Sequence, residues 1–538
     1  MNRLKLLCAM LALAALMVFA VMLGSPYEPV IEPVADIEAI WAIEDARQES
    51  EAPLVRLLHN HGVPLGYDAE SNTFYCPLDL EQGEAWPDIH LTAVCNPDVR
   101  LVFVDDYGYD WCEDAIREGY PYQVMAYTDD EFRYFNIVFT GLPIVSIYCE
   151  KEIGEEDTAA RVEISIFGEE GIGSAANIHL RGGGTRSAKK RNLRVKFTRA
   201  ENGKKNMIDL PSFGLRENII LNPMVMDETM LRDRVSWRLY GDLLGEEYNG
   251  AFDERETAYV EVFLNNEYQG VYLMMEPMDA EEELAKESGQ NLLTDGVYRS
   301  LHVDFVENRP VINNPLKDVG RFELLYEPQQ SRRFEFLQDY LNLLSETDNA
   351  EFIQKATCMD MESVVRYVLL RQIAGLVDNI NNNMYIWARM TQTGVKYTLV
   401  PWDLDKSWGR QPQSIGNNNE NWLHFPLADR MLMCGVPGLK ELLVQRWREW
   451  REDALSQEHI MEILVQYESE LLRSGALMRN AERWGMQMDT AASERLGYFA
   501  STRLEVLDAA MDMFEDEELE YPPFLNNGDE EPEHRPIM

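Results

Sequence analysis

Cysteine is scarce in this chain: seven in 538 residues. No CxxC pair and no Cys/His cluster has zinc-site spacing, so a structural zinc is not expected. Cys76, Cys95, Cys112 and Cys149 fall in the first third, which in an exported chain predicts one or two disulfides among them. The eight histidines form no H-E-x-x-H, and neither G-x-S-x-G nor G-x-x-x-x-G-K-[ST] occurs. Zincin, serine-hydrolase and P-loop chemistries are therefore not indicated. Positive charge is also in short supply, with 49 Lys and Arg against 93 Asp and Glu and a net charge of −44. Such a field repels nucleic acid and anionic membranes and favours cations, including divalent metals. It equally serves plain solubility.

Long apolar runs are lacking except one. Arg3 and Lys5 precede Leu6–Leu23, which is long for a signal peptide and just long enough for a membrane span. Gly24-Ser25 is a weak cleavage site. A cleaved signal and an uncleaved anchor both remain open for residues 1–24, and either predicts an extracytoplasmic chain, secreted or membrane-anchored. Cys8 lies too early in the run to be a lipid-attachment cysteine.

What is present suggests a mixed chain. Hydrophobic residues make up 46%, enough for a sizeable core. Residues 25–52 are rich in Pro and Glu and read as a linker carrying a short helix. Residues 53–140 hold short β-like runs broken by Gly, Pro and Asp, an accessory region without visible chemistry. From residue 141, strands alternate in "RVEISIF", "ANIHLRGGG" and "NLRVKF". A helix follows in "ETMLRDRVSWRLYGDLL", ending near Gly245, and then a hairpin around Asn265-Asn266. The second half is mainly helical, apart from two strands around Thr391–Gly394. Residues 141–515 thus form one α+β domain, and 516–538 read as an acidic disordered tail.

Chemistry concentrates in three places. In "GLVDNINNNMYIW" Asp378 stands five residues before Asn383, and "LVPWDLDKSWG" brings Asp403 and Asp405 to a strand end. Phosphoryl transfer needs a carboxylate at the attacking hydroxyl and hard oxygen ligands for magnesium. Such spacing also occurs in ordinary Asn/Asp-rich turns; an apolar strand running straight into two carboxylates distinguishes this case. The second place is "RGGGTRSAKKRNLRVKF", with Arg181, Arg186, Lys189, Lys190, Arg191, Arg194 and Lys196 in one stretch of an acidic chain. It reads as a phosphate-binding turn and strand, or as a solvated strand edge. The third is Glu276 after "GVYLMM", able to hold a phosphate-binding lysine, to serve as a hinge acceptor, or to be a surface residue. Trp402 and Trp408 read as packing.

The segments "LPIVSIYCEKEI", "RGGGTRS", "ENIILNPMVMDETMLRDRVSWRL", "YVEVFLNNEYQGVYLMMEPMD", "TDGVYR", "LVDNINNNMYIW" and "LVPWDLDKSWG", in this order over residues 142–412, resemble the spore coat protein H (CotH) kinase family. The resemblance implies a two-lobed atypical protein-kinase-like fold, with a β-rich N-lobe, a mainly helical C-lobe and the small β-rich region before it. It implies ATP with Mg2+ or Mn2+ as cofactors, and transfer of the γ-phosphate to Ser or Thr of a surface or spore-coat protein. It casts Asp378 as base and Asp403, Asn383 and Asp405 as metal ligands. Arg186, Lys190, Arg194, Lys196 and Glu276 fall on the nucleotide side. The glycine turn departs from the family's usual Arg-Gly-Asn-Ser. The rival readings are a non-catalytic kinase-fold scaffold of the cell or spore envelope, and a metal-dependent hydrolase or other phosphotransferase. No nucleic-acid partner is expected, and the oligomeric state is not legible.

Overall fold

Seven strands close on themselves: β1 (Ile144–Tyr148), β2 (Thr158–Ser165), β3 (Ile172–Leu180), β4 (Leu193–Thr198), β5 (Asn218–Asn222), β6 (Thr257–Leu264) and β7 (Glu267–Met275). Around the barrel they run β1-β2-β3-β4-β5-β7-β6, and β6 returns to β1 in parallel, with Ile144 opposite Glu261. Alternate residues point inward. Val162, Ile164, Ala176, Ile178, Val195, Phe197, Val260 and Val262 fill the core, while Arg194 and Lys196 take the outer face of β4. Closure removes the unpaired edges that an open sheet would expose. The β6–β7 turn is made by Asn265 and Asn266, both at positive φ (51° and 63°), as a two-residue turn matched to strand twist requires.

The computed structural model describes residues 37–80, 90–95, 98–104, 112–167, 171–182, 188–211, 213–245, 250–287, 291–301, 322–326, 333–380, 382–410 and 420–525. The chain divides into two units, and the barrel belongs to the first: residues up to Pro223, Ala258–Met274 and Ser469–Met488. In that unit the region before the barrel forms a six-stranded and a three-stranded sheet with their own apolar core. Residues 37–49, expected within a linker, are ordered: the helix Ile37–Asp45 buries Ile40, and Gln48–Glu49 pairs with Glu131–Phe132. The expected disulfides do not form. Cys76, Cys112 and Cys149 are free thiols. Cys76 and Cys112 serve as small apolar residues of that core, where burial pushes the Cys112 thiol up to about 11.

A late segment of chain closes the first unit. The helix Ala476–Trp484 starts at Gly475, whose φ is +67° and where a Cβ would stand 2.1 Å from the Ile116 carbonyl. From this helix Arg479 reaches Glu261 of β6 with two bonds, Nε to Oε1 at 3.0 Å and Nη2 to Oε2 at 2.8 Å, and Thr140 at 2.7 Å. Tyr268 donates to the same carboxylate.

The second unit comprises Met224–Thr257, Met275–Glu468 and Asp489 onward. It is built on helices α1 (Arg232–Leu244), α2 (Met361–Ala374) and α3 (Ala492–Glu515), with a four-stranded sheet. The sheet holds β8 (Gly296–Leu301), β9 (Phe322–Tyr326), β10 (Asn382–Thr391) and β11 (Gly394–Pro401), in the order β9-β8-β10-β11. Almost every residue of α2 is buried, which makes it the core helix of this unit. Asp360 caps its start, and Gly375 ends it in the left-handed conformation, donating to Arg371 O. Part of the expected tail is folded: Phe524 stacks on Trp422 at 5.3 Å and Leu525 is buried. These are apolar anchors within an otherwise acidic stretch. Residues 526–538 lie outside the described residues, as does the apolar run Leu6–Leu23. Among the described residues no helix is long and apolar enough to cross a membrane.

The Arg479–Glu261 pair generates a stability prediction. Arg479→Leu strands a buried carboxylate and should cost about 3–5 kcal/mol, whereas surface arginine substitutions stay near zero. Urea denaturation of the variant measures this; an unchanged midpoint contradicts the assignment.

Candidate functional site

The β10–β11 hairpin sets the geometry of the candidate site. Its ladder is regular from Thr391 opposite Gly394 to Met384 opposite Pro401. One step further, the Trp402 N–H donates to the Asn383 carbonyl at 3.0 Å. Asn383 and Asp403 thus sit side by side where the hairpin opens. Both are left-handed, at φ 54° and 58°. Asn and Asp tolerate this conformation best among residues with a side chain, at a cost of about 1 kcal/mol each.

Asp378 arrives from the other direction, three residues past the Gly375 cap of α2. Its Oδ2 accepts from Asn383 Nδ2 at 3.1 Å and from Lys406 Nζ at 2.6 Å. The two polar ends of the Asp–x4–Asn motif are therefore in contact. Lys406 also feels the charges of Asp405 and Asp403. Burial lowers its pKa, but Asp378 and then these two carboxylates outweigh burial and raise it above the ordinary lysine value. Ser407 and Trp408 lock the far end of the loop: Trp408 N donates to Ala374 O at 2.6 Å and its indole to Ser236 Oγ at 2.9 Å.

More carboxylates come from the start of α1. Asp227 is held by Thr229, by the Arg232 N–H at 2.9 Å and by the Arg232 guanidinium. Arg232 Nε in turn donates to Ser407 O at 3.1 Å. Asp233 is 4% exposed and accepts the Leu404 N–H. Burial first, then the charges of Asp405 and Asp403, push its carboxyl up to about 8. Burial, then Asp403, push Asp405 up to about 7 against the pull of Arg410 and Lys406. Arg410 stands 3.8 Å from Asp405. A set of carboxylates that repel one another, with Asp403 exposed, suits a hard divalent cation such as Mg2+ or Mn2+.

The basic strand does not act as one group. Lys190 is 3% exposed, and its ammonium donates to Pro223 O at 3.1 Å, to Val271 O and to Asn480 Oδ1 at 2.9 Å, over the Tyr272 ring at 4.6 Å. Its three N–H bonds all go to neutral oxygens, and burial drives its pKa well below the usual lysine value. Arg194 donates to Asn218 Oδ1 at 2.9 and 3.1 Å, and both carboxylate oxygens of Asp157 lie 3.1 Å from Lys196 Nζ. Arg186 and the turn at 183–187 lie outside the described residues. Glu276 is buried in an ion-pair cluster, 3.7 Å from Arg255 and 3.8 Å from Lys286, with Glu283 and Asp253 around the same cations. Trp402 packs against Trp237 and Tyr385, and Trp408 against Phe499, so both tryptophans are packing residues.

Lys406, Asp233 and Arg232 escaped the reading of the sequence. The signal was present in "MDETMLRDR" and in the lysine directly after "WDLD", but nothing local says that these two segments meet.

Residues 178–507, well over half the chain, match the family described as CotH kinase protein. The chain is thus of the kinase-like class. The chain belongs to the CotH kinase family. No protein with a curated description matches it.

The carboxylate cluster predicts a pH dependence. With folded-state pKa values raised above the usual 3.8, Asp233 and Asp405 stay protonated in the folded chain where the unfolded chain has already released its protons. Stability should therefore fall as pH rises from about 4 through 8. In EDTA the melting temperature should drop between pH 6 and 8.5, and Asp233→Asn should flatten the drop. A melting curve equally pH-dependent in that variant would remove Asp233 as the cause.

Proposed function

We propose that this protein is an exported atypical protein kinase that transfers the γ-phosphate of ATP to Ser or Thr of surface or spore-coat proteins, on a two-lobed kinase-like fold. The observation that carries the reading is the Asp378–Asn383–Lys406 contact beside Asp403 and Asp405. It joins a base candidate, a neutral oxygen ligand, a cation and two acidic ligands in one place. Family membership supports the kinase-like assignment.

In this reading Asp403 and Asn383, with Asp405, would hold Mg2+ or Mn2+. The metal, when bound, neutralises the charge of the phosphates. Both contacts to Asp378 fall on Oδ2, so Oδ1 is the oxygen that takes the proton of the acceptor hydroxyl. The hydroxyl oxygen bonds to the γ-phosphorus as the bond to the β,γ-bridging oxygen breaks, and ADP leaves. Lys406 keeps Asp378 ionised and oriented. With Lys190 committed to carbonyl oxygens, phosphate contacts fall to other cations; Arg194, Lys196 and Arg186 are the candidates on the basic strand. Export rests on Arg3 and Lys5 ahead of the apolar run; protease added to intact cells should then digest the chain, and complete protection argues for the cytoplasm.

Asp378→Asn should lower kcat by about 10²- to 10⁴-fold with Mn2+–ATP affinity nearly unchanged. Asp403→Ala should instead lose the metal-dependent thermal shift given by ATP. Labelled ATP with a casein-like acceptor reads transfer. Label on protein supports the kinase, free phosphate alone the hydrolase, and no turnover the scaffold. The reverse pattern in the two variants would exchange their roles, and full activity in both would place the site elsewhere.

A further inference from the structure

We propose that Asn379 is a positioning residue that presents Asn383 and Asp403 to the metal–nucleotide complex. The inference rests on the phosphotransferase reading and adds to it a residue that touches neither substrate nor metal.

The carboxamide of Asn379 is fully buried and spends both N–H bonds on the hairpin mouth: Nδ2 donates to Asn383 O at 2.9 Å and to Trp402 O at 2.8 Å. These two carbonyls are not equivalent to others in the hairpin. The Trp402 carbonyl belongs to the peptide that sets φ of Asp403, and the Asn383 carbonyl reports ψ of Asn383. One side chain therefore grips the backbone on the inner side of two left-handed residues whose side chains are the candidate ligands. Its own carbonyl is gripped in turn by the Tyr367 hydroxyl at 2.8 Å, from the core helix α2. The rigid helix is thus connected to the ligand-bearing turn through Tyr367 and Asn379.

A purely structural role explains this residue poorly. Its Oδ1 is buried without a hydrogen-bond partner among the described residues. A buried amide half satisfied is unfavourable; an apolar side chain of the same shape would remove that cost but leave the Asn383 and Trp402 carbonyls without this donor. What an apolar side chain cannot do is orient the two carbonyls. Groups that orient ligands from behind act on metal affinity or activity, typically by about 10- to 100-fold.

Asn379→Leu keeps the shape and removes both donors. The expected result is a loss of about tenfold or more in Mn2+ affinity, titrated directly in the presence of ATP, with kcat recovered at saturating Mn2+; the two carbonyls left without this donor also lower the melting temperature of the metal-free protein. A residue that only holds the fold would give the lower melting temperature alone, with wild-type Mn2+ affinity in the protein that remains folded. If Asn379→Leu does not fold, Tyr367→Phe removes the supporting hydroxyl without disturbing the ring, and wild-type Mn2+ affinity there overturns the proposal. Wild-type protein and Asp403→Ala are titrated alongside. Mn2+ binding by wild type, lost in Asp403→Ala and kept within twofold in Asn379→Leu, overturns the positioning role alone. Failure of wild type to bind Mn2+ with ATP overturns the metal-site reading and this inference together.

Discussion

Like charges do not gather without a reason, and the second unit crowds Asp233, Asp378, Asp403 and Asp405 around one loop of five residues. The rest of the site can be read as the means of holding that repulsion in check. Lys406 answers Asp378, Arg410 stands near Asp405, and Arg232 takes Asp227 and bonds back to the loop at Ser407. Asp233 accepts a backbone N–H from Leu404, but burial and the charges of Asp405 and Asp403 outweigh it and push its carboxyl well above the usual value. The positive groups and the raised carboxyls of Asp233 and Asp405 together limit that repulsion.

Precision in such a cluster comes from the backbone. The β10–β11 ladder fixes where Asn383 and Trp402 meet, because a shift of one residue would turn every side chain of the hairpin to the other face. Both faces are packed there, with Met384–Ala388 and Leu399–Pro401 buried throughout, so each side chain has its own fitted surroundings and a slip would displace all of them. The left-handed turns at Asn383 and Asp403 then depart from the ladder at its last hydrogen bond. Regular structure sets the register up to that bond, and special residues take over where the chemistry begins.

This division also explains what could be read without coordinates. Strands, the Asn265-Asn266 turn and the Gly245 helix end follow from local pattern, and they lie where the pattern places them. The Asp–x4–Asn pair was legible because both residues sit on one short segment. Barrel closure was not, since it depends on β1 meeting β6, more than a hundred residues later. Lys190 misled for a related reason. In sequence it is one of several cations before a strand. In space, Asn480, nearly three hundred residues away, turns it inward, and no periodicity records that contact. Cys76 and Cys112 show the same limit: export suggested disulfides, but the core of the first sheets takes both as apolar residues.

The two buried lysine and arginine sites of the first unit differ instructively. Arg479 meets a carboxylate with bidentate geometry, and against the pull of burial the Glu261 charge raises its pKa. Lys190 meets only carbonyl and amide oxygens, and burial wins. A lysine held that way is weakly committed to its proton and poorly placed to meet phosphate, so its value lies in joining β7, the end of β5 and the helix Ala476–Trp484. Basic residues close in sequence therefore divide between two tasks. Those on the outer face of β4 keep carboxylate or amide partners near the surface, where an anion can compete for them. The one that turns inward ties the barrel to a segment from the far end of the chain.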